Sequence, residues 1–187
     1  MEITKKNRVV EFLKTYWLYL GTALALIIMG VVFTVVGVNA NTTPTGTSVL
    51  KFVLPMDNPS VIKDFSNTEL QNNETLNQWE AHLSVDLTSE SGDVFAILDG
   101  TVASIDYNFL EGYTVVINHT NGLSSIYSSL AEQLLVEVGD LVEAGAKIGV
   151  ASDSASGELD LGAHLHFAMK VNDLFVDPNN YLDLQQK

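Results

Sequence analysis

The stretch Gly162–Lys170 reads GAHLHFAMK and contains two of the four histidines of the 187-residue chain. Successive side chains of a β-strand point to opposite faces of the sheet, so residues two apart share a face. His164 and His166 therefore share one face, and the opposite face carries small and apolar residues, Ala163, Leu165 and Phe167. The pattern predicts a strand that packs one face against the core and presents two imidazoles to a cleft.

A second polar pair lies at even spacing further upstream. In HLSVD, His82 and Asp86 are four residues apart, and on one continuous strand they would share a face. With one histidine of the later pair they would supply two nitrogens and one carboxylate oxygen, the ligand set of a catalytic zinc ion with an open fourth position. The remaining histidine would be free to act as a general base. Hydrogen-bonded polar residues without a metal are the alternative, and the spacing alone leaves both open.

The region after Trp79 has the pattern of an all-β domain. Nine short runs with alternating character, separated by Gly, Asp and Asn, predict strands in a compact antiparallel sheet of sandwich or barrel type. The runs are WEAHLSVDL, VFAIL, GTVASID, GYTVVINH, LSSIYSSL, LLVEV, KIGVA, AHLHFAMKV and LFVDP. Residues 49–78 predict two short strands and an exposed Asn-rich loop. His119 precedes an Asn-Gly turn and is interpreted as a turn-stabilising residue.

The amino-terminal region predicts a membrane anchor. Residues 16–38 run without a charge over 23 positions, enough for one transmembrane helix behind a basic cytoplasmic tail, residues 1–15. A cleaved secretory signal is the alternative, although its apolar region is typically only about 7–15 residues long. In either case the rest of the chain is extracytoplasmic. We predict a polar linker over 39–50 and an extracytoplasmic domain over 51–187, with its core at 79–182.

The exported part of the chain is strongly acidic and has no cysteine. Of 23 acidic residues, 21 follow Val38, against five Lys and no Arg, which gives that part a net charge of −16. Such a surface argues against nucleic acid as a partner and is typical of a soluble domain or of one with a basic partner. The absence of cysteine excludes thiol catalysis, Fe–S clusters and lipid attachment through Cys.

Six segments of the chain, in the same order, resemble the LytM/lysostaphin family of zinc metallopeptidases. They are H-x-x-x-D, DGTV, GYTVVINHTNGLSSIYSSL, VGDLVEAGAKIG, H-x-H-F and VDP. The resemblance extends from about Trp79 to Leu182. It implies a LytM/lysostaphin-like fold, zinc bound by His82, Asp86 and His166, and a catalytic role for His164. The implied substrate is the peptide cross-bridge of peptidoglycan.

The chain departs from the family motifs at three places. The family has a second catalytic histidine in Tyr-x-His-Leu, where this chain has YSSL with Ser129 at the matching position. Ser84 replaces the Gly of H-x-G-x-D and would point between the two ligands. An acidic stretch precedes the H-x-H motif and is unfavourable for carboxylate-bearing wall peptides; its acidic residues are Asp153, Glu158 and Asp160.

GLSSIYSSLAE and the single anchor resemble family members that are degenerate and function in endospore formation. This resemblance implies an extracytoplasmic scaffold that binds a protein of the opposing membrane during engulfment. The alternative is an active zinc endopeptidase that cuts peptidoglycan cross-bridges. Ser129 and Ser84 favour the scaffold, because a missing catalytic group lowers a rate by roughly 10²–10⁴-fold. The complete ligand set and His164 favour the enzyme.

Overall fold

The computed structural model describes residues 10–17, 19, 22 and 50–184. The chain divides into two units, Met1–Ser48 and Val49–Lys187. In the first unit residues 10–17 are helical. Among the described residues, no helix combines the length and the apolar character needed to cross a membrane. The predicted span 16–38 lies almost entirely outside the described residues, as does most of the linker 39–50, so both stay predictions.

The second unit is built from antiparallel strands, as the alternating pattern predicts. Within residues 50–184 no α-helix is present, and three short 3-10 turns occur at Thr120–Gly122, Ser156–Leu161 and Pro178–Asn180. The strands are β1 (Ser60–Lys63), β2 (Ser66–Asn73), β3 (Gln78–His82), β4 (Val85–Thr88), β5 (Asp93–Phe95), β6 (Gly100–Asn108), β7 (Gly112–Asn118), β8 (Leu123–Leu130), β9 (Leu141–Val142), β10 (Lys147–Val150), β11 (Leu165–Val171) and β12 (Leu174–Val176).

One large sheet organises this unit. Its strands follow the order β1-β4-β11-β8-β7-β6-β9, with β12 also paired to β11, and two smaller sheets are formed by β10 with β5 and by β2 with β3. In β11 the alternation places Leu165, Phe167 and Met169 in the core, where each is completely buried. The ring centroid of Phe167 lies 5.3 Å from that of Tyr127 on β8. The opposite face of the same strands lines a cleft.

Three local predictions were wrong. WEAHLSVDL is two strands, because β3 pairs with β2 in a small sheet whereas β4 pairs with β1 and β11 in the large one. The Asn-rich segment predicted as a loop forms β2, since cross-strand pairing outweighs the low strand propensity of Asn. LLVEV forms no strand, although Leu134 and Val136 pack partly against the core while Leu135 and Val138 are about 60% exposed.

Candidate metal centre

The candidate centre lies on the cleft face of the large sheet. Asp86 on β4 and His166 on β11 are directly opposite each other in the antiparallel register. Facing residues of such a pair project from the same side of the sheet. Nδ1 of His166 donates a hydrogen bond of 2.8 Å to Oδ1 of Asp86. The strand register alone therefore brings two of the three predicted ligands together.

His82 reaches the same place from the last position of β3. Its Nδ1 lies 2.8 Å from the carbonyl oxygen of Asp64. Since a carbonyl only accepts, Nδ1 carries the proton and Nε2 keeps its lone pair. That Nε2 lies 3.1 Å from Oδ2 of Asp86. This Oδ2 is buried and has no hydrogen-bond partner among the described residues.

The lone pair of Nε2 and the carboxylate oxygen lie 3.1 Å apart and repel each other, and a cation or a proton between them removes this repulsion. A carbonyl that fixes the histidine tautomer is also the usual support of a metal-binding imidazole. The donor set therefore fits a divalent metal such as zinc. The assignment of His82, Asp86 and His166 as ligands stays a prediction.

Glu158 joins this cluster and comes from the 3-10 turn Ser156–Leu161, which we call the acidic turn. Its Oε2 lies 2.8 Å from Nδ1 of His166, and its Oε1 lies 2.8 Å from Nζ of Lys63. One ligand atom from each of four residues lies within 4.8 Å of the other three: His82, Asp86, Glu158 and His166. The centre thus contains one more potential ligand than the sequence motifs identified.

The carboxylates and imidazoles of the cluster shift one another's pKa values. Burial alone would lower the pKa of His166, but hydrogen bonds and charges from Asp86 and Glu158 raise it to about 10. Burial would raise the pKa of Asp86, but the hydrogen bond and the charge of His166 hold it below its usual range. Burial would likewise raise the pKa of Glu158, but the interactions with His164, His166 and Lys63 outweigh this effect and lower the pKa. Without a metal, the protonated His166 supplies the positive charge between the two carboxylates.

His164 lies just before β11 and is completely buried. Its Nδ1–H donates to the carbonyl of Gly162 at 2.7 Å, which leaves Nε2 as the atom presented towards Glu158. Nε2 lies 3.5 Å from Oε2 of Glu158 and has no hydrogen-bond partner among the described residues. Burial lowers the pKa of His164, but the interaction with Glu158 outweighs it, so the pKa is raised.

Ser129 is directed away from this cluster. It has a left-handed backbone conformation with φ of 60°, and its hydroxyl donates to the carbonyl of Ser152 at 2.7 Å. The same carbonyl accepts from the backbone N–H of His164 at 3.1 Å. The residue opposite His166 on β8 is Ser128, which lines the cleft. The hydroxyl of Ser129 therefore stabilises the segment before His164.

Ser84 lies between the imidazoles of His82 and His166, whereas the sequence predicted it between His82 and Asp86 on one continuous strand, which is interrupted at this residue. Its Oγ is 2.9 Å from Nε2 of His82 and 3.4 Å from Nδ1 of His166. A hydroxyl at this place offers a hydrogen bond to the nitrogen that would otherwise face a metal. Ser84 is itself buried, with 2% of its surface exposed.

The cleft around the cluster has a volume of about 510 Å³. The acidic stretch contributes to it unequally. Glu158 is 8% exposed and reaches the cluster, whereas Asp153 is exposed and Asp160 bonds to Thr75 on the surface. The sequence suggested acidity near the cleft, but no periodicity in a turn could identify which carboxylate points inward.

Comparison with known proteins places the chain among peptidase relatives. A family model described as Peptidase family M23 matches residues 80–178. Stage II sporulation protein Q of Bacillus subtilis (strain 168) is 31% identical over 158 residues, which cover 78% of this chain and 55% of that protein. Peptidoglycan DD-endopeptidase ShyC of Vibrio cholerae is 30% identical over 125 residues, 66% of this chain and 28% of that protein. The chain thus spans about half or less of the length of these curated relatives.

A solved structure gives the same picture. The pore-forming complex of SpoIIQ and SpoIIIAH contains a chain that matches with a TM-score of 0.63 at 29% identity, over 72% of this chain and 92% of that one. The antiparallel fold on which the cluster is built is therefore shared with a protein solved in complex with a partner.

Proposed function

The chain belongs to peptidase family M23, and from that premise we propose that it is a catalytically degenerate member that acts as an extracytoplasmic protein-binding scaffold in sporulation. The observation that carries the proposal is the position of Ser129. The family motif has a histidine there, whereas here the hydroxyl is bonded to the Ser152 carbonyl. A serine in that place cannot supply positive charge to a developing oxyanion.

The proposed partner is a protein exported from the opposing membrane. Stage II sporulation protein Q, the relative with 31% identity, supports this, because the SpoIIQ structure was solved in complex with SpoIIIAH. The uncharged run 16–38 with its basic flank supports a single anchor with the amino terminus in the cytoplasm. We propose that the anchor holds the acidic domain at the outer surface of the membrane, where it meets its partner.

The metal belongs to the proposal as well. Zinc would be held by His82, Asp86 and His166, and when bound it supplies a Lewis acid to a substrate carbonyl. The chain's own residues orient the site. The Asp64 carbonyl fixes the tautomer of His82, and the Gly162 carbonyl fixes that of His164.

An active zinc endopeptidase acting on peptidoglycan is the second candidate. The convergence of ligand-type atoms within 4.8 Å favours it, as does the Nε2 of His164, which is presented towards Glu158 of the cluster. The similarity to a peptidoglycan DD-endopeptidase of Vibrio cholerae supports the same substrate class. In this reading His164 would take the proton of the attacking water.

Two assays on the full-length chain, purified in detergent, separate the candidates. The first measures binding to the SpoIIIAH homologue of the source organism by titration. The second measures release of peptides from purified peptidoglycan with and without zinc. Scaffold function predicts saturable binding and no release. Chelator-sensitive release of peptides by the wild-type chain would establish the endopeptidase instead, and absence of binding would remove the scaffold.

A further inference from the structure

Glu158 is buried, whereas the two residues that follow it in the acidic turn are exposed. Only 8% of Glu158 is exposed, whereas Leu159 is 54% exposed and Asp160 is exposed as well. An ionised carboxylate is costly to bury without charged or hydrogen-bonding partners. Glu158 has four such partners around it: Lys63, His82, His164 and His166. Its place in the cluster is therefore specified by several side chains from separate elements.

The backbone of the acidic turn is fixed in place by contacts on both sides. The Gly157 N–H donates to the Leu110 carbonyl at 3.0 Å, and the Asn73 side chain donates to the Gly157 carbonyl at 3.0 Å. A Cβ at Gly157 would lie 2.9 Å from the Leu110 carbonyl oxygen, so only glycine fits this close approach. The turn is anchored one residue before Glu158, which directs the carboxylate into the cleft.

The two oxygens of Glu158 have different surroundings. Oε1 accepts from Lys63 at 2.8 Å, which orients the carboxylate as supporting partners of metal ligands do. Oε2 points at Nδ1 of His166, one of the predicted ligand atoms. Independently of Glu158, Oδ2 of Asp86 is buried, unpartnered among the described residues, and aimed at the same place. Both observations fit a cation held between these groups.

We propose that Glu158 is a fourth protein ligand, so that His82, Asp86, His166 and Glu158 form a closed four-ligand metal site. Closed tetrahedral sites are structural, whereas catalytic zinc keeps one position open for water or substrate. Glu158 also places negative charge where hydrolysis would generate an oxyanion, which opposes the reaction. The metal would then stabilise the junction between β3, β4, β11 and the acidic turn.

This inference deepens the proposed function, since a closed site accounts for a domain that binds without hydrolysing. It can fail separately from that function, because its test measures coordination, whereas the scaffold is tested by partner binding. The two tests together would recognise a chain with a closed metal site that binds no partner. They would equally recognise a scaffold that binds its partner but has an open metal site.

The test uses the full-length chain in detergent, loaded with Co²⁺ in place of Zn²⁺. The d–d absorption of Co²⁺ reports its coordination, and azide serves as an exogenous ligand that enters only an open position. We expect the wild-type spectrum to be unchanged by azide. Glu158→Ala should respond to azide and should bind Zn²⁺ about 10–100-fold more weakly in a chelator competition. Asp160→Asn, which removes a charge from the same turn outside the cluster, should behave as wild type.

Several results would overturn the proposal. An azide response of the wild-type chain would mean that a position is open, and this measurement needs no variant to fold. Failure of the wild-type chain to bind either Co²⁺ or Zn²⁺ would remove the site. Wild-type zinc affinity in Glu158→Ala, or in Glu158→Gln as the variant of equal size, would show that the carboxylate is not a ligand.

Discussion

Asp86 and His166 face each other across β4 and β11, and their side chains are joined by a 2.8 Å hydrogen bond. The pair is held by the ladder hydrogen bonds of the large sheet, with Leu87 and Phe167 packed in the core on the other face. Two of the predicted metal ligands are therefore preorganised by the same register that builds the hydrophobic core. A metal that binds them adds its binding free energy to that of the folded domain.

Replacing Asp86 should weaken both the binding of zinc and the stabilisation of the domain by zinc. Asp86→Asn removes the charge at the centre of the cluster while keeping the volume, so zinc affinity should fall by more than about tenfold. The rise in melting temperature that zinc gives the wild-type domain should shrink with it. Calorimetry with and without zinc measures both quantities. Asp106→Asn, at an exposed position of β6, is the matched control. An equal zinc-dependent rise in melting temperature in wild type and Asp86→Asn would contradict the prediction.

Core packing on β11 gives a prediction that is independent of the metal. Phe167 is completely buried against Tyr127, whereas Phe175 on β12 is 40% exposed. Phe167→Ala leaves a cavity and should lower the free energy of unfolding by about 3–5 kcal/mol. The same substitution at Phe175 should cost far less, because that ring is partly in water and contacts Lys170 at the surface. Urea unfolding monitored by circular dichroism compares them, and equal losses would contradict the assigned burial.

His119 should make stability depend on pH. Its Nδ1 donates to the carbonyl of Asp99 at 2.9 Å and its Nε2 lies 2.7 Å from Oγ of Ser125, so the neutral ring is satisfied on both sides. Burial lowers the pKa of His119 below its ordinary value of 6.5, although the contact with Asp99 opposes this. The unfolded chain therefore takes up a proton at a higher pH than the folded one. This contribution to stability is complete above about pH 6.5 and is lost as the pH falls.

The measurement for His119 is the difference between wild type and His119→Asn, since other histidines titrate in both. Their difference in free energy of unfolding should shrink as the pH is lowered from about 7.5 to 5. Asn118→Ser, at an exposed neighbouring position, should keep the wild-type slope. A constant difference across this range would mean that His119 titrates alike in the folded and unfolded states.

The sequence predicted those parts of the site that depend on local periodicity. The alternation placed Leu165 and Phe167 in the core and His166 on the cleft face, because strand geometry is local. It was wrong for the two preceding residues, which lie before β11: Ala163, predicted for the core face, is exposed, and His164, predicted for the cleft face, is completely buried.

The prediction that His82 and Asp86 lie on one continuous strand was wrong, because the chain passes from one sheet to another between them. The two side chains nevertheless converge. That change of sheets depends on the pairing partners of β3 and β4, which periodicity does not reveal.

Glu158 and Ser129 mark the limit of sequence reasoning. The inward direction of Glu158 follows from the contact of Gly157 with Leu110, some 47 residues away in the chain. The hydroxyl of Ser129 turns to Ser152 because of a left-handed backbone conformation at the end of β8. Both depend on tertiary contacts between loops, so neither has a counterpart in a pattern of spacing.

The last prediction concerns hydrolysis. We expect the wild-type chain to release no peptides from peptidoglycan, with or without zinc. Restoring the family residues by Ser129→His and Ser84→Gly supplies a catalytic group worth roughly 10²–10⁴ in rate, and a left-handed backbone is compatible with histidine. The double substitution should remain inactive while the Glu158 carboxylate stays in the cluster. Adding Glu158→Ala should open the site and give chelator-sensitive release of peptides.

The control for this series adds His166→Ala to the triple substitution. It keeps every restored residue but removes one predicted ligand on β11. It should abolish whatever activity the triple substitution has gained, because the attacking water then has no site at which it can be activated. Robust, chelator-sensitive cleavage by the wild-type chain would refute the degenerate scaffold. If the double substitution were as active as the triple, Glu158 would not close the site. If the triple substitution were inactive, these three positions would not be sufficient to explain the loss of hydrolysis.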